Sequence, residues 1–197
     1  MYCMVAPRRI IIVPLTTHNV LDYLEALVNE VKAALSKVGV GDIDVVVWPE
    51  VIKPPMRCFD WSRIQYHAAC ILKYLREVFQ VIGTVNTDFI IGVGYLDGYE
   101  HGLNFVFGEA MPGQNVAAVF TKRLKPEFYG EKPSFDLYFQ RLVKEVLHEL
   151  GHLFNLEHCS NYCVMRFSNS VYEVDEKPVD YCESCKSKVI RYMSRTK

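Results

Sequence analysis

The sequence predicts an α/β (α+β) fold built on a twisted, mostly parallel five-stranded sheet with one antiparallel edge strand. Two observations support this prediction. Short β-branched segments alternate with longer amphipathic segments, and the last two strand-like segments are separated only by a short turn. The chain has 197 residues, of which 50% are hydrophobic, and can therefore bury a substantial core. We expect two backing helices, a third helix carrying the chemistry, and a small cysteine-rich C-terminal part.

The first part of the chain is typical of a β-α-β unit. The segments Arg9–Leu15 (RIIIVPL) and Asp42–Trp48 (DIDVVVW) are short β-branched runs, as in strands that are buried on both faces. Between them, apolar residues recur at helical spacing from position 20 to 38. Asn19 is the expected N-cap of this helix and Gly39 its expected end.

The middle of the chain predicts one more helix and three more strands. An amphipathic stripe runs from Ile64 to Ile82 and ends before Gly83. A buried strand is expected at Asp88–Val93, and two others at Asn104–Gly108 and Val116–Thr121. The last two are separated by AMPGQN, whose Pro and Gly mark a turn, so they should form a hairpin at the sheet edge.

A third amphipathic segment, from about Ser134 to Asn155, carries the most informative motif, HELGHLFNLEHC. His148 and His152 fall opposite its apolar stripe and should therefore face a cleft. Four residues apart on a helix, two imidazoles lie one turn apart and can bind the same zinc ion. Glu149 lies beside them without being a ligand.

His158 follows His152 by six residues and could not reach the same ion if the helix continued. The helix must therefore end between them. Asn155 stands midway, and asparagine is the residue after glycine that best tolerates the left-handed conformation that ends helices. We expect a positive φ at Asn155, with His158 turned back towards the other two histidines.

The seven cysteines are unevenly distributed, and four of them crowd the C-terminal part: Cys159, Cys163, Cys182 and Cys185. Four thiolates can bind zinc tetrahedrally in a closed structural site. Two disulfides and a redox CxxC are the competing interpretations, and a reducing compartment disfavours the first. Cys3, Cys58 and Cys70 are expected to be ordinary, partly buried thiols.

The segment from His148 to Cys185 resembles the archaemetzincin family of metzincin zinc metallopeptidases. The metzincin signature HExxHxxGxxH is matched with Asn155 in place of its glycine, and Met165 follows where a methionine turn is required. Cys159 directly after the third histidine, a CxM ending at Met165, and the CxxC from Cys182 to Cys185 match the family pattern more specifically.

This resemblance implies a metzincin-like fold and hydrolysis of peptide bonds in a peptide or protein substrate. Zinc would acidify a bound water to a pKa near ~7, and Glu149 would act as general base and then general acid. Two zinc ions are expected, one catalytic and one structural. The substrate would lie as an extended strand along the sheet edge, for which Asn104–Gly108 is the candidate.

The domain organisation follows from the same motifs. Residues 1–155 would form an α/β subdomain ending in the active-site helix, and residues 156–197 a subdomain with the methionine turn and the structural zinc. Together they would make one catalytic domain.

Other interpretations stay open at this point. A zinc-stabilised peptide-binding protein with little or no hydrolytic activity is the main alternative. A third has a distal glutamate, Glu173 or Glu176, as the third zinc ligand instead of His158. His18, His67 and His101 have no ligand-like spacing and are assigned no role.

Charge and hydropathy narrow the set of partners. A net charge of -1 without a long basic run gives no reason to expect nucleic acid. The apolar run after Arg8 and Arg9 is too short for a signal peptide, and no segment approaches a membrane span. We therefore expect a cytoplasmic protein without a membrane partner. Its oligomeric state is open, and a monomer is plausible.

Overall fold

A five-stranded sheet with helices on both faces forms the centre of the protein, in a computed structural model that describes residues 9–18 and 20–195. The strands β1 to β8 are Arg9–Pro14, Asp44–Val47, Phe59–Asp60, Gln65–His67, Phe89–Gly94, Gly98–Tyr99, Gly108–Met111 and Val116–Phe120. The helices α1 to α5 are Leu24–Val38, Ala68–Ile82, Phe135–Leu153, Val171–Glu176 and Glu183–Arg195. Asn19, the expected cap of the first helix, and Cys3 lie outside the described residues.

The strand order in the main sheet is β2-β1-β5-β8-β7, and only β7 is antiparallel to its neighbour. This confirms the mostly parallel sheet with one antiparallel edge strand. Both faces are covered, so successive residues of one strand enter different cores. Ile10 and Ile12 contact the layer of α1 and α3, whereas Ile11 and Val13 contact α2. This is why the first strand is an unbroken β-branched run.

The edge strand differs from the prediction, because it is Gly108–Met111 and not Asn104–Gly108. Pairing begins at the turn itself, where Met111 lies opposite Val116, and runs back only to Gly108. The turn is closed by left-handed residues at Gly113 and Asn115. Before Gly108 the chain leaves the ladder after one more bond, from the N–H of Phe120 to the carbonyl of Phe107, and Val106 bridges Gly98 instead.

The first two helices begin later in the chain than the sequence predicts. The first helix begins at Leu24, after a 3₁₀ turn at Leu21–Tyr23, and the second begins at Ala68. Residues 65–67 of the predicted second helix belong instead to β4, which pairs with β3 and β6 in a small second sheet. The predicted helix ends are confirmed, since Gly39 and Gly83 both have positive φ.

Cys58 and Cys70 form a disulfide, and the expectation that they are ordinary free thiols was therefore wrong. A 3₁₀ turn at Met56–Cys58 packs against the first turn of α2 and brings the two Cα atoms to 5.4 Å, within the range that a disulfide spans. The expectation rested on the assumed compartment, not on geometry. Tertiary packing alone reveals this proximity.

The C-terminal segment folds back over α3. The guanidinium group of Arg141, on α3, is almost fully buried and donates to both carboxylate oxygens of Asp175, at 2.8 and 2.7 Å. It also donates to the carbonyl of Leu124 at 3.0 Å. Within residues 9–18 and 20–195, no helix is long and apolar enough to cross a bilayer.

Replacement of Asp175 by alanine would leave the buried Arg141 without its counter-ion. We expect the free energy of unfolding to fall by about 2–4 kcal/mol, because an unpaired buried charge costs more than a lost surface pair. Urea denaturation of the metal-loaded protein measures the change. Asp44→Ala is the control, since Asp44 is exposed and lies 3.7 Å from the exposed Lys32. Its effect should stay within about 0.5 kcal/mol, and equal losses in both variants would contradict the expectation.

Candidate metal centre

The centre is built on the C-terminal half of α3. The helix begins after Ser134, whose hydroxyl accepts the backbone N–H of Leu137 at 3.3 Å. Among the residues of α3 that line a cleft of about 520 Å³, His148 is 6% exposed and Glu149 is 4% exposed, so both are buried. The predicted position beside a cleft is confirmed, and the cleft is deep enough that these side chains are largely shielded from water.

Asn155 has the predicted positive φ, at +62°. Its N–H donates to the carbonyl of His152 at 2.8 Å, and the N–H of Leu156 donates to the carbonyl of Gly151 at 2.9 Å. These two bonds satisfy carbonyls at the helix end and turn the chain back. The reversal brings His158 to the cleft.

The three histidine rings converge as predicted. The ring centroids of His148 and His152 are 4.7 Å apart, those of His148 and His158 are 5.3 Å apart, and those of His152 and His158 are 5.0 Å apart. Potential ligand atoms of all three lie within 4.8 Å of one another. Glu173, a distal glutamate considered as an alternative ligand, accepts the N–H of Ser170 in a capping box at the start of α4.

The Nδ1 atoms of two of the rings are hydrogen-bonded to backbone carbonyls. The Nδ1 atom of His148 lies 2.9 Å from the carbonyl of Val164, and Nδ1 of His152 lies 2.8 Å from the carbonyl of Leu156. A carbonyl can only accept, so both Nδ1 atoms carry the proton. In the neutral rings, both Nε2 atoms therefore present lone pairs.

These two Nε2 atoms are 3.1 Å apart. Two lone pairs facing each other at that distance repel unless a cation lies between them. Tetrahedral zinc with bonds of 2.0–2.1 Å separates its nitrogen ligands by about 3.3 Å. The donor set, its spacing and its tautomers therefore fit a zinc ion.

Electrostatics keeps the rings in the form that binds metals. Burial lowers the pKa of His148 well below its usual range, and the positive charge of Lys177 acts in the same direction. Burial also lowers the pKa values of His152 and His158, less strongly. Neutral imidazole is the state that coordinates a metal ion.

Glu149 lies in the same cleft, and its surroundings favour the protonated carboxyl group. Burial, followed by repulsion from Glu145 and Glu109, raises the pKa of Glu149 well above its usual range. A bound dication would oppose this shift by favouring the carboxylate. The side chain fits only because residue 108 is glycine, since a Cβ there would overlap the Glu149 carboxylate.

Met165 is fully buried against Gly151, a residue of the HExxH segment. A Cβ at Gly151 would overlap the sulfur of Met165, so the second variable position of HExxH must be small here. The N–H of Cys159 donates to the carbonyl of Met165 at 2.9 Å. This bond ties the segment after the third histidine to the methionine.

The four C-terminal cysteines form a second group, with ligand atoms within 4.8 Å of one another. The sulfurs of Cys159 and Cys182 are 3.8 Å apart, which equals the roughly 3.8 Å edge of a zinc tetrahedron with 2.3 Å bonds. Burial acts to raise the pKa of Cys182, but hydrogen bonds from the Cys185 backbone and the Asn161 side chain lower it to about 6. The group therefore fits zinc as well.

Two features of the site were missed by the sequence analysis. Lys177 forms a buried 2.7 Å ion pair with Glu145, and both line the cleft. His67, Glu100 and His101 form a third group of potential metal ligands. Residues far apart in the chain build both, so no local spacing could have indicated them.

Comparison with known proteins identifies the family. Residues 8–191 match the family model of peptidase family M54. An archaemetzincin of Saccharolobus solfataricus is 40% identical over 171 residues, which cover 86% of this chain and 89% of that protein.

Solved structures agree with this match. The crystal structure of archaemetzincin from Methanopyrus kandleri has a TM-score of 0.77 at 31% identity and covers 95% of this chain and 96% of its own. A zinc-dependent peptidase from Methanocorpusculum labreanum has a TM-score of 0.79 at 30% identity, with 91% and 99% coverage. The chain therefore belongs to peptidase family M54, the archaemetzincin family, and is a zinc-dependent metallopeptidase.

Proposed function

We propose that this metallopeptidase hydrolyses peptide bonds with Glu149 as general base and acid, beside a zinc ion bound by His148, His152 and His158. One observation carries the proposal: three imidazoles converge in the cleft that also holds a buried carboxylate. A protein that only bound peptides would have no need of a buried carboxylate beside the ligands. Burying that carboxylate would cost free energy and would not strengthen the binding of a peptide.

The protein orients the proposed ligands through its backbone. The carbonyls of Val164 and Leu156 hold the Nδ1–H groups of His148 and His152, so that Nε2 of each ring points into the cleft. Such partners orient a ligating ring and increase its basicity. The ring of His158 packs against Phe167, with centroids 4.9 Å apart, which restrains the third ligand.

Zinc held by these three histidines would supply Lewis-acid polarisation of the peptide carbonyl and would lower the pKa of a bound water molecule. Glu149 takes a proton from the attacking water as the oxygen–carbon bond forms. It then gives that proton to the amine nitrogen as the carbon–nitrogen bond breaks. Burial raises the pKa of Glu149 and a bound dication would oppose that shift, which suits a group that must both accept and release a proton.

We infer that the substrate peptide pairs with the free edge of β7. Gly108–Met111 ends the strand order of the main sheet, and Gly108, Glu109 and Ala110 line the cleft. An extended peptide added to such an edge is held by main-chain hydrogen bonds, largely independently of its sequence. The edge lies next to Glu149, since residue 108 contacts that side chain.

A second, structural zinc is proposed at Cys159, Cys163, Cys182 and Cys185. Cys159 directly follows His158, so this ion would fix the chain next to a catalytic ligand. Met165 would form the methionine turn beneath the catalytic ion. Residues 1–155 and 156–197 would then act as two subdomains of one catalytic unit, because each supplies part of the centre.

Glu149→Gln tests the role of the carboxylate. We expect unchanged zinc content and a loss of peptidase turnover of about 10²–10⁴-fold, because the amide cannot accept the proton. Elemental analysis and cleavage of an unstructured protein substrate measure the two properties. Glu157→Gln, at an exposed residue of the same motif, should retain both. Equal turnover in the two variants would contradict the role of Glu149 as general base and acid.

Substitutions of Asn155 test the chain reversal. Asn155→Gly should preserve zinc affinity, because glycine adopts positive φ without strain. Asn155→Val should weaken zinc binding by about 10–100-fold, since a β-branched residue at this φ costs roughly 1–3 kcal/mol. Competition with a chelator gives the affinities. If the valine variant bound zinc as tightly as the glycine variant, the backbone conformation would not control the third ligand.

Cys182→Ala tests the structural ion. We expect the variant to contain one zinc equivalent fewer than the unmodified protein and to be cleaved faster by proteases after residue 156, because the segment loses its cross-link. Elemental analysis and limited proteolysis measure these effects. The paired change Cys58→Ala and Cys70→Ala is the control and should leave the zinc content unchanged. Unaltered zinc in Cys182→Ala would refute a four-cysteine zinc site.

A further inference from the structure

Two histidines that are not among the proposed catalytic ligands, His67 and His101, lie close together at the small sheet. His67 belongs to β4, and His101 follows β6. β4 and β6 are parallel and in register, so that His67 lies opposite Tyr99 and next to Glu100. The rings of His67 and His101 are 4.6 Å apart. Potential ligand atoms of His67, Glu100 and His101 all lie within 4.8 Å of one another.

The carboxylate of this group is held firmly. Oε1 of Glu100 lies 2.9 Å from Nε2 of His67 and accepts the backbone N–H of His101 at 2.9 Å. Oε2 accepts the N–H of Ala69, in the first turn of α2, at 3.2 Å. Burial acts to raise the pKa of Glu100, but these hydrogen bonds outweigh it and lower the pKa. The group therefore combines an ionised carboxylate with two imidazoles.

We propose that His67, Glu100 and His101 bind a further divalent metal ion of the borderline class, zinc above all. Imidazole and carboxylate are the ligands that such ions share. The side chains of His67 and Glu100 are 25% and 23% exposed, which leaves the site accessible to an ion and to completing water ligands. His101 is exposed, so its ring can rotate to close the ligand set.

The distances fit this assignment. Tetrahedral bonds of about 2.0–2.2 Å place adjacent ligand atoms roughly 3.3–3.6 Å apart when they meet at one ion. Nε2 of His67 and Oε1 of Glu100 are 2.9 Å apart, so a small separation of the two side chains would give this spacing. A bare ion pair would account for that contact, but it would not account for the second imidazole ring beside the first, with centroids 4.6 Å apart.

The position of the group points to its effect. Gly102, Leu103 and Asn104 directly follow His101 and line the catalytic cleft. Arg63 donates to the carbonyls of Leu103 and Asn104, at 3.1 and 3.0 Å, and so holds the far end of this segment. An ion bound by His101, His67 and Glu100 would hold the other end of this segment, next to Gly102. The metal thus acts as a brace for the rim of the cleft and takes no part in bond cleavage.

Metal stoichiometry tests the proposal. The protein, equilibrated by dialysis against micromolar free zinc, should bind one equivalent more than His101→Ala, measured by elemental analysis. Affinity for that last equivalent should fall by at least about 10–100-fold in His67→Gln, because loss of a ligand costs no less than loss of its outer partner. His18→Ala removes a histidine outside all three groups and should bind as much as the unmodified protein.

Equal stoichiometry in the unmodified protein and in both His67→Gln and His101→Ala would overturn the proposal. Crystals soaked in zinc and measured at the zinc edge should give an anomalous peak between His67 and His101, and a peak elsewhere would also overturn it. Dialysis and elemental analysis of Glu149→Gln should give the same additional equivalent of zinc. Since that variant lacks the proposed general base, the outcome is independent of the catalytic assignment.

Discussion

At Asn155 the backbone enters the left-handed region and turns back across the end of α3. Three consequences meet at this turn. His158 is brought to the cleft, the carbonyl of Leu156 is brought to Nδ1 of His152, and Cys159 is brought to the carbonyl of Met165. The histidine group and the cysteine group are therefore joined by one short segment. A change of backbone conformation at Asn155 would therefore displace residues of both groups.

The electrostatics of the cleft complement this backbone geometry. Three carboxyl groups, on Glu109, Glu145 and Glu149, line the same cleft as a single buried ammonium group, on Lys177. Burial, followed by repulsion from Glu145 and Glu109, raises the pKa of Glu149 when no metal is bound. A dication relieves that repulsion while its imidazole ligands stay neutral, so occupancy by zinc and ionisation of the carboxylate favour each other. Gly108 and Gly151 complete the arrangement, because each leaves space for a side chain of the centre.

The errors of the sequence analysis have a common origin. The edge strand was expected at Asn104–Gly108, but pairing follows the hairpin turn and runs over Gly108–Met111. The bond between Cys58 and Cys70 and the group around Glu100 both join segments that only the small sheet and α2 bring together. Propensity and spacing are local quantities and carry no information about such contacts.

The sequence by itself determined the features that depend on short separations along the chain. The spacing of His148, His152 and His158 required a helix followed by a reversal, and Asn155 was the residue able to make it. The alternation of β-branched and amphipathic segments likewise determined the mostly parallel sheet. Only the tertiary structure decided which edge residues border the cleft, which cysteines pair and which distant charges surround Glu149. Those properties depend on packing between segments, where burial and long-range contacts outweigh local preference.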